Sequence, residues 1–294
     1  MPRRASLAKI TPPKLSGVYP RERLFKLLDE GRRCPVVWIC GLPGAGKTTL
    51  AISYLQALQL GTVWYRLDED DADPATLFYY LGLAAKKAAP RRKKPLPLFT
   101  PEYLKGFPAF SRHYFRDLYA RLPQPFVVVF DNYHDIGTES PTHEVMRYAL
   151  EEVPSHGNVI VLSRTEPPEQ LARLRANNEI QLVGPETMRL TLEESRGLLA
   201  SHHGLPLSEE YLKQLIEQTQ GWAAGLILLS ELGESAAPPP AIHDSRQLQA
   251  VFDYFAGEIL CRTDSETQEV LLATALLPVF TAPLAENFTG RPHA

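Results

Sequence analysis

Cysteine is scarce in this sequence: Cys34, Cys40 and Cys261 are the three in 294 residues. None forms a CxxC pair, which argues against the usual zinc spacings and against a disulfide framework. Cys34 and Cys40 flank an apolar run and are expected to be buried, reduced and inert. An excess of charge of one sign is also lacking. Lys and Arg total 31 against 34 Asp and Glu, a formal net charge of −3, so no global field draws the chain to nucleic acid or to an anionic membrane. No apolar stretch approaches the roughly 20 residues that span a bilayer. The basic start, Met-Pro-Arg-Arg, leads into no apolar signal-peptide core. A cytoplasmic protein without membrane contact is expected. What the chain does have is apolar content, 44% of its residues, enough for one large domain or two with a real core.

The run Pro35-Val-Val-Trp-Ile-Cys40 is apolar throughout and reads as a strand buried on both faces. Thr62 to Leu67, Phe126 to Asp131, Val159 to Ser163 and Ile180 to Val183 read as further strands. Between them helices are expected over Pro20 to Leu28, Lys47 to Leu58, Pro74 to Ala89 and Phe107 to Arg121. Strands alternating with helices mean a doubly wound parallel sheet. After Leu190 the strand signal stops. Three helices follow, Thr191 to Ser201, Ser208 to Gln218 and Trp222 to Leu232, then a proline-rich linker and a last helical block from Ser245. The segment KKAAPRRKKPLPLFTP, 86–101, is basic and proline-rich. Its six cations in nine positions suit a phosphate backbone, but a solvated loop is the expected state. The acids Asp68 to Asp71 are read as solvated, with Asp73 capping the helix that begins at Pro74.

Gly41-Leu-Pro-Gly-Ala-Gly-Lys47-Thr48 fits G-x-x-x-x-G-K-S/T without mismatch and sits between a strand and a helix. Small residues let the backbone N–H groups of Leu42, Pro43, Gly44, Ala45, Gly46, Lys47, Thr48 and Thr49 (proline excepted) curl around a phosphate, aided by the helix N-terminus. Lys47 is expected to reach the β- and γ-phosphates of ATP or ADP, and Thr48 to bind magnesium. Asp131 ends a strand at the same sheet edge and is expected to serve the magnesium shell. The elements between it and the P-loop suggest that at least one other strand separates the two. Arg164 ends another strand and is expected to stabilise charge on the γ-phosphate. Asn132 follows Asp131 where many P-loop ATPases place a second carboxylate. A carboxamide cannot accept the water's proton, so the general-base contribution of about 10²–10⁴ is weakened and binding is favoured over hydrolysis. His134 and Asp135 are read as structural.

These residues resemble the STAND class of P-loop ATPases, in particular the nucleotide-binding part of MalT-like (LuxR-type, large ATP-dependent) transcriptional regulators. The resemblance rests on Pro13-Lys-Leu, Pro20-Arg-Glu-Arg-Leu24, GLPGAGKTT, Val63-Trp-Tyr-Arg-Leu-Asp68, VVVFDNYHDI, VLSRTEPP and Gly221-Trp-Ala-Ala-Gly-Leu226, with Leu277-Pro-Val-Phe and Leu284-Ala-Glu-Asn-Phe-Thr-Gly290 near the end. It implies a nucleotide-binding domain over 1–189, a helical lid over 190–235 and a winged helix over 242–294, cut short soon after Gly290. By the same resemblance Tyr19, Pro20, Arg21 and Trp222 line the nucleoside pocket and Arg164 is the sensor arginine. It also implies ADP locked between the parts, an inducer acting through domains not in this chain, self-association on activation and no specific DNA binding by this piece. The expected function is an ATP/ADP-binding switch of a transcriptional regulator with slow hydrolysis. A nucleic-acid-stimulated ATPase or a nucleotide-dependent kinase is the alternative.

Overall fold

The apolar runs have no polar face and are rich in β-branched and aromatic residues, the composition of strands covered on both sides. The computed structural model describes residues 8–15, 17–92, 94–203, 208–232, 257 and 265–274. In it five strands form one parallel sheet: β1 (Val36–Cys40), β2 (Gly61–Arg66), β3 (Phe126–Asp131), β4 (Gly157–Ser163) and β5 (Ile180–Val183). Their order is β2-β3-β4-β1-β5, so β4 separates the P-loop strand from the strand that ends in Asp131. The register sets Cys40 beside Ser163 and Arg66 beside Asp131. Four strand ends thereby converge on one sheet edge, the edge where open α/β sheets bind ligands.

Alternate side chains divide the core into two layers. Val37, Ile39, Val129 and Leu162 pack with Leu24 and Leu28 of α1 (Glu22–Gly31) and with Leu50 and Tyr54 of α2 (Lys47–Leu58). Val36, Trp38, Phe130 and Val161 face α3 (Pro74–Ala88), α4 (Phe107–Tyr119) and α5 (Thr142–Glu151). Phe78 sits among aromatic rings there, edge-on to Phe110 at 5.1 Å and to Tyr114 at 4.8 Å. Such pairs add about 0.5–1.5 kcal/mol beyond the area they bury.

Several expectations are corrected. The first helix begins at Glu22, not Pro20, because Arg21 holds a non-helical backbone. Helix α5 was not expected. The 86–101 segment is not simply a solvated loop. Beyond α3 its apolar half folds inward: Leu96 is buried, and Phe99 stacks within 5.5 Å of Phe78 and 5.2 Å of Phe110. Asp71 is not solvated either. Its carboxylate is fully buried, accepts from Tyr65 Oη at 2.6 Å and from Asp68 N at 2.9 Å, and pairs with Lys9 at 2.7 Å. Asp73 does cap α3, accepting from Ala75 N at 3.0 Å.

The short α6 (Ala172–Ala176) precedes β5, and α7 (Pro185–Met188), α8 (Leu192–His203), α9 (Glu209–Thr219) and α10 (Ala223–Leu232) follow it. Helix α8 opens on a capping box: Glu194 N donates to Thr191 Oγ1 at 3.2 Å and Thr191 N to Glu194 Oε2 at 3.0 Å. The chain divides into two compact units, Met1–Ala224 and Gly225–Ala294. In the second, beyond the rest of α10, the described residues are Gly257 and the helix α11 (Ser265–Thr274). The expected linker over 234–240, the winged helix apart from those residues, Cys261 and the two late motifs lie outside the described residues. Among the described residues no helix is long and apolar enough to cross a membrane.

Candidate nucleotide site

The loop between β1 and α2 needs left-handed backbone at two places, Gly44 at φ +70° and Gly46 at φ +82°. Glycine takes these conformations without a steric penalty. A Cβ placed on Gly46 would meet nothing within 4 Å, so the space beside that residue is open. At the start of α2, Lys47 Nζ turns back onto the loop and donates to Gly41 O at 2.7 Å and Leu42 O at 2.9 Å. Burial and then the neighbouring Arg164 guanidinium lower the Lys47 pKa to about 8. Thr49 is half-buried in the same first turn, while Leu42 is 64% exposed.

Thr48 Oγ1 donates to Asp131 across 3.1 Å to Oδ1 and 3.3 Å to Oδ2. Asp131 is buried at the end of β3. Burial raises its carboxyl above the ordinary value, against the opposing pull of Thr48, Arg66, the Asn132 N–H and Lys47. Arg66 is a neighbour that sequence reading missed. It ends β2 one strand over from Asp131, and the strand-final arginine of Val63-Trp-Tyr-Arg66 was the signal available. Asn132 adopts φ 62°, ψ 42° and starts the 3-10 turn Tyr133–Ile136. His134 in that turn accepts the Arg164 backbone N–H at Nδ1 (3.3 Å), and its Nε2 faces Asp135 Oδ1 at 3.2 Å. Cys40, buried and with its thiol pKa raised by that burial, donates to Arg164 O at 3.4 Å. The edge thus gathers Lys47, Thr48, Asp131 and Arg164, with Lys47 beside Arg164 and Asp131 within reach of both Arg66 and Lys47.

The remaining predicted residues stand in two other places. Trp222 Nε1 donates to Pro43 O at 2.8 Å, and Ala224 N donates to Gly44 O at 3.0 Å. Beside these bonds lies a cavity of about 230 Å³, lined in part by Leu42, Ala45, Met188, Arg189, Gly221 and Trp222. Gly221 has φ +75°, and a Cβ on it would come within 2.7 Å of Leu190 O. Tyr19 and Pro20 border a different cleft, with Arg23, Thr191 and Glu194. Arg21 faces inward. Its guanidinium donates to Met188 O at 3.0 Å, Arg189 O at 2.9 Å and Glu194 Oε2 at 2.9 Å. Glu194 itself was missed, although Thr191-Leu-Glu-Glu194 carries the capping-box spacing.

Fold and loop together define a P-loop NTPase of the doubly wound α/β class. Among solved structures the chain resembles a Walker-type ATPase of Pyrococcus abyssi, with a TM-score of 0.57 and 15% identity over 93% of this chain and 84% of that one. It also resembles the ORC1 protein of Aeropyrum pernix, solved in complex with DNA, with a TM-score of 0.51 and 14% identity over 97% and 82% of the two chains. At such identities the likeness is one of fold. No family model matches the chain. Its sequence relationship is narrower: it is 30% identical over 291 residues to the HTH-type transcriptional regulator MalT of Cronobacter sakazakii, covering 96% of this chain and 32% of that protein. To MalT of Serratia proteamaculans it is 28% identical over 289 residues, covering 96% and 31%. The chain is therefore MalT-like along nearly all its length and spans about a third of the relatives it matches.

Proposed function

We propose that this chain is the nucleotide-binding switch core of a MalT-like signal-transduction ATPase, holding ATP or ADP with magnesium and turning ATP over slowly. One observation carries the reading. The phosphate loop is tied by its own carbonyls, at Pro43 and Gly44, to the segment that opens α10. A ligand that reshapes the loop must then strain or relieve those two bonds.

The residues present fit a magnesium nucleotide. The loop offers open space at Gly46 and a lysine already beside it. Thr48 and Asp131 supply hard oxygen donors side by side, as magnesium requires. Bound magnesium would neutralise charge on the phosphate oxygens. Lys47 and Arg164 would balance the rest of the phosphate charge, and the Leu42–Trp222 cavity would take the nucleoside. Tyr19 and Pro20 border a separate cleft and Arg21 is turned onto Glu194, so these three would not line it. Asn132 cannot take a proton from water, and His134 has its two ring nitrogens engaged with the Arg164 N–H and Asp135. Slow hydrolysis follows, with conformation rather than turnover as the output. In this reading the helices over 190–235 act as a lid, and transcriptional output, inducer response and self-association belong to the longer protein. This piece alone would not bind DNA specifically.

Equilibrium titration with a fluorescent ATP analogue and magnesium tests it. Lys47→Ala removes a charge-assisted contact worth roughly 1.5–3 kcal/mol, so affinity should fall about ten- to a hundredfold. Saturating Mg-ADP at about 100 times its Kd should add roughly 2.7 kcal/mol of stability. Unchanged affinity in the variant overturns the assignment.

A further inference from the structure

Away from the nucleotide site, a cavity of about 310 Å³ lies between α3 and the segment that follows it. None of its lining residues belongs to the P-loop, to the ends of β3 and β4, or to the cavity beside Trp222. Its floor is apolar, made by Phe78, Leu83 and the buried Leu96. Its rim is cationic: Lys86, Arg92 and Lys94 line it together with Arg121, which also faces Asp117 at 3.8 Å, and none of the described lining residues is acidic. The wall is held in place. Arg121 donates to the carbonyls of Lys94 at 2.5 Å and Pro95 at 3.3 Å, and so fastens the segment over α3. At the mouth two large apolar side chains stay open to solvent, Tyr79 at 50% and Leu98 at 61% exposure. Lys87, one position from Lys86, is committed elsewhere, to Ile10 O at 3.0 Å and Thr11 Oγ1 at 2.7 Å.

An apolar floor under an all-cationic rim complements one kind of molecule: an apolar body that ends in a negative charge. The volume falls at the small end of ligand cavities, which run from about 300 Å³. A phosphate backbone would use the cations but leave the floor and the exposed Tyr79 and Leu98 without a partner. We propose that this cavity binds a small amphipathic anion, an organic carboxylate with an apolar chain or ring. It constitutes a second ligand site on the nucleotide-binding unit and is independent of the P-loop reading.

Octanoate is a suitable probe, with 1-octanol as its neutral counterpart, titrated into the full chain and followed by calorimetry. Saturable one-to-one binding of octanoate is expected, with octanol at least roughly tenfold weaker. Lys86→Glu with Arg92→Glu changes only exposed positions, and should weaken octanoate by a similar factor with no more than the small drop in melting temperature that an acid in the last turn of α3 brings. Gly82→Leu should abolish binding by filling the floor. Gly82 lines the cavity, and a Cβ there meets only Tyr114 Oη at 3.5 Å and Leu96 Cβ at 4.0 Å, ordinary contacts that the fold tolerates. The paired charge reversal keeps the test decisive if that variant misfolds. Equal affinity for octanol, no saturable binding at millimolar concentration, or binding indifferent to the charge reversal overturns the proposal. So does oligonucleotide binding lost on the same reversal with no octanoate binding at all.

Discussion

Glu194 joins the start of α8 to the residue before α1, and its removal has a consequence that can be worked from the geometry. Its carboxylate accepts from Arg21 at 2.9 Å, from Arg23 at 3.1 and 3.2 Å, and from Thr191 N at 3.0 Å. The Arg21 side chain is 10% exposed and that of Glu194 is 7% exposed, whereas Arg23 is 42% exposed. The Arg23 contact is therefore worth little. Glu194→Ala leaves the Arg21 charge buried with only the Met188 and Arg189 carbonyls as partners. Breaking a buried pair in this way costs about 3–5 kcal/mol, and the lost capping bond adds up to about 1. The two carbonyls offset part of this, so about 3 kcal/mol is expected, or roughly 6–12 °C in melting temperature.

Glu194→Gln separates charge from geometry. The amide still accepts from Thr191 N and one arginine donor, so the loss should be about half as large. The pH dependence follows from the carboxyl itself. Burial alone would raise its pKa, but bonds from Arg21, Arg23 and the Thr191 N–H outweigh burial and lower it. A group more acidic when folded contributes stability that is fully present above its unfolded value near pH 4.3 and is lost as pH falls through the folded value. Urea unfolding at neutral pH should separate wild type from Glu194→Ala, and the gap should close on acidification below about pH 4. A loss under about 1 kcal/mol at neutral pH would refute the buried-pair argument. So would a gap that does not shrink in acid.

Gly221→Ala should destabilise by roughly 1–3 kcal/mol, because it forces a left-handed residue and sets a Cβ 2.7 Å from Leu190 O; chemical denaturation measures it, and a neutral result would mean that the backbone shifts freely. Trp222→Phe removes the donor to Pro43 O, a bond worth about 0.5–1.5 kcal/mol, and should weaken Mg-ADP binding by up to roughly tenfold in a fluorescence titration. Asn132→Asp should speed single-turnover hydrolysis by part of the roughly 10²–10⁴ that a placed base contributes, with nucleotide affinity nearly unchanged. A variant no faster than the parent would mean that position 132 does not face the attacking water.

The central strands were legible because a short, fully covered run of apolar, β-branched or aromatic residues bounded by Gly, Pro or a charge favours a strand over a helix. Phe126–Asp131 and Ile180–Val183 matched to the residue. Helix α5 was missed although Val145, Met146, Ala149 and Leu150 mark one buried face, because turn-forming residues crowd its start. The errors at Asp71 and Leu96 have a different origin. Each side chain's burial depends on partners in other elements, Lys9 and the β2 residue Tyr65 for one, Phe78 and Gly82 of α3 for the other. Composition within a window reports none of these. Arg21 is the same case, since its three acceptors lie more than 160 residues later.

The P-loop shows why half of a site can be read from a motif and half cannot. Each peptide unit presents its N–H and its C=O in opposite directions. The consensus constrains the N–H side, where small residues and the Lys47–Thr48 pair suit a phosphate. The carbonyl side is left unspecified by the motif, yet here Gly41 and Leu42 hold Lys47, and Pro43 and Gly44 hold Trp222 N–H and Ala224 N–H. Turning the Gly44 unit to serve a ligand better on one side would misdirect it on the other. Two unrelated requirements therefore act on the same few torsions. A phosphate that turned these peptide units would act on the bonds to Trp222 and Ala224 directly, with no intervening residue. At Pro43 the ring fixes φ, so its carbonyl can follow Trp222 Nε1–H only by turning about ψ and the Gly44 torsions.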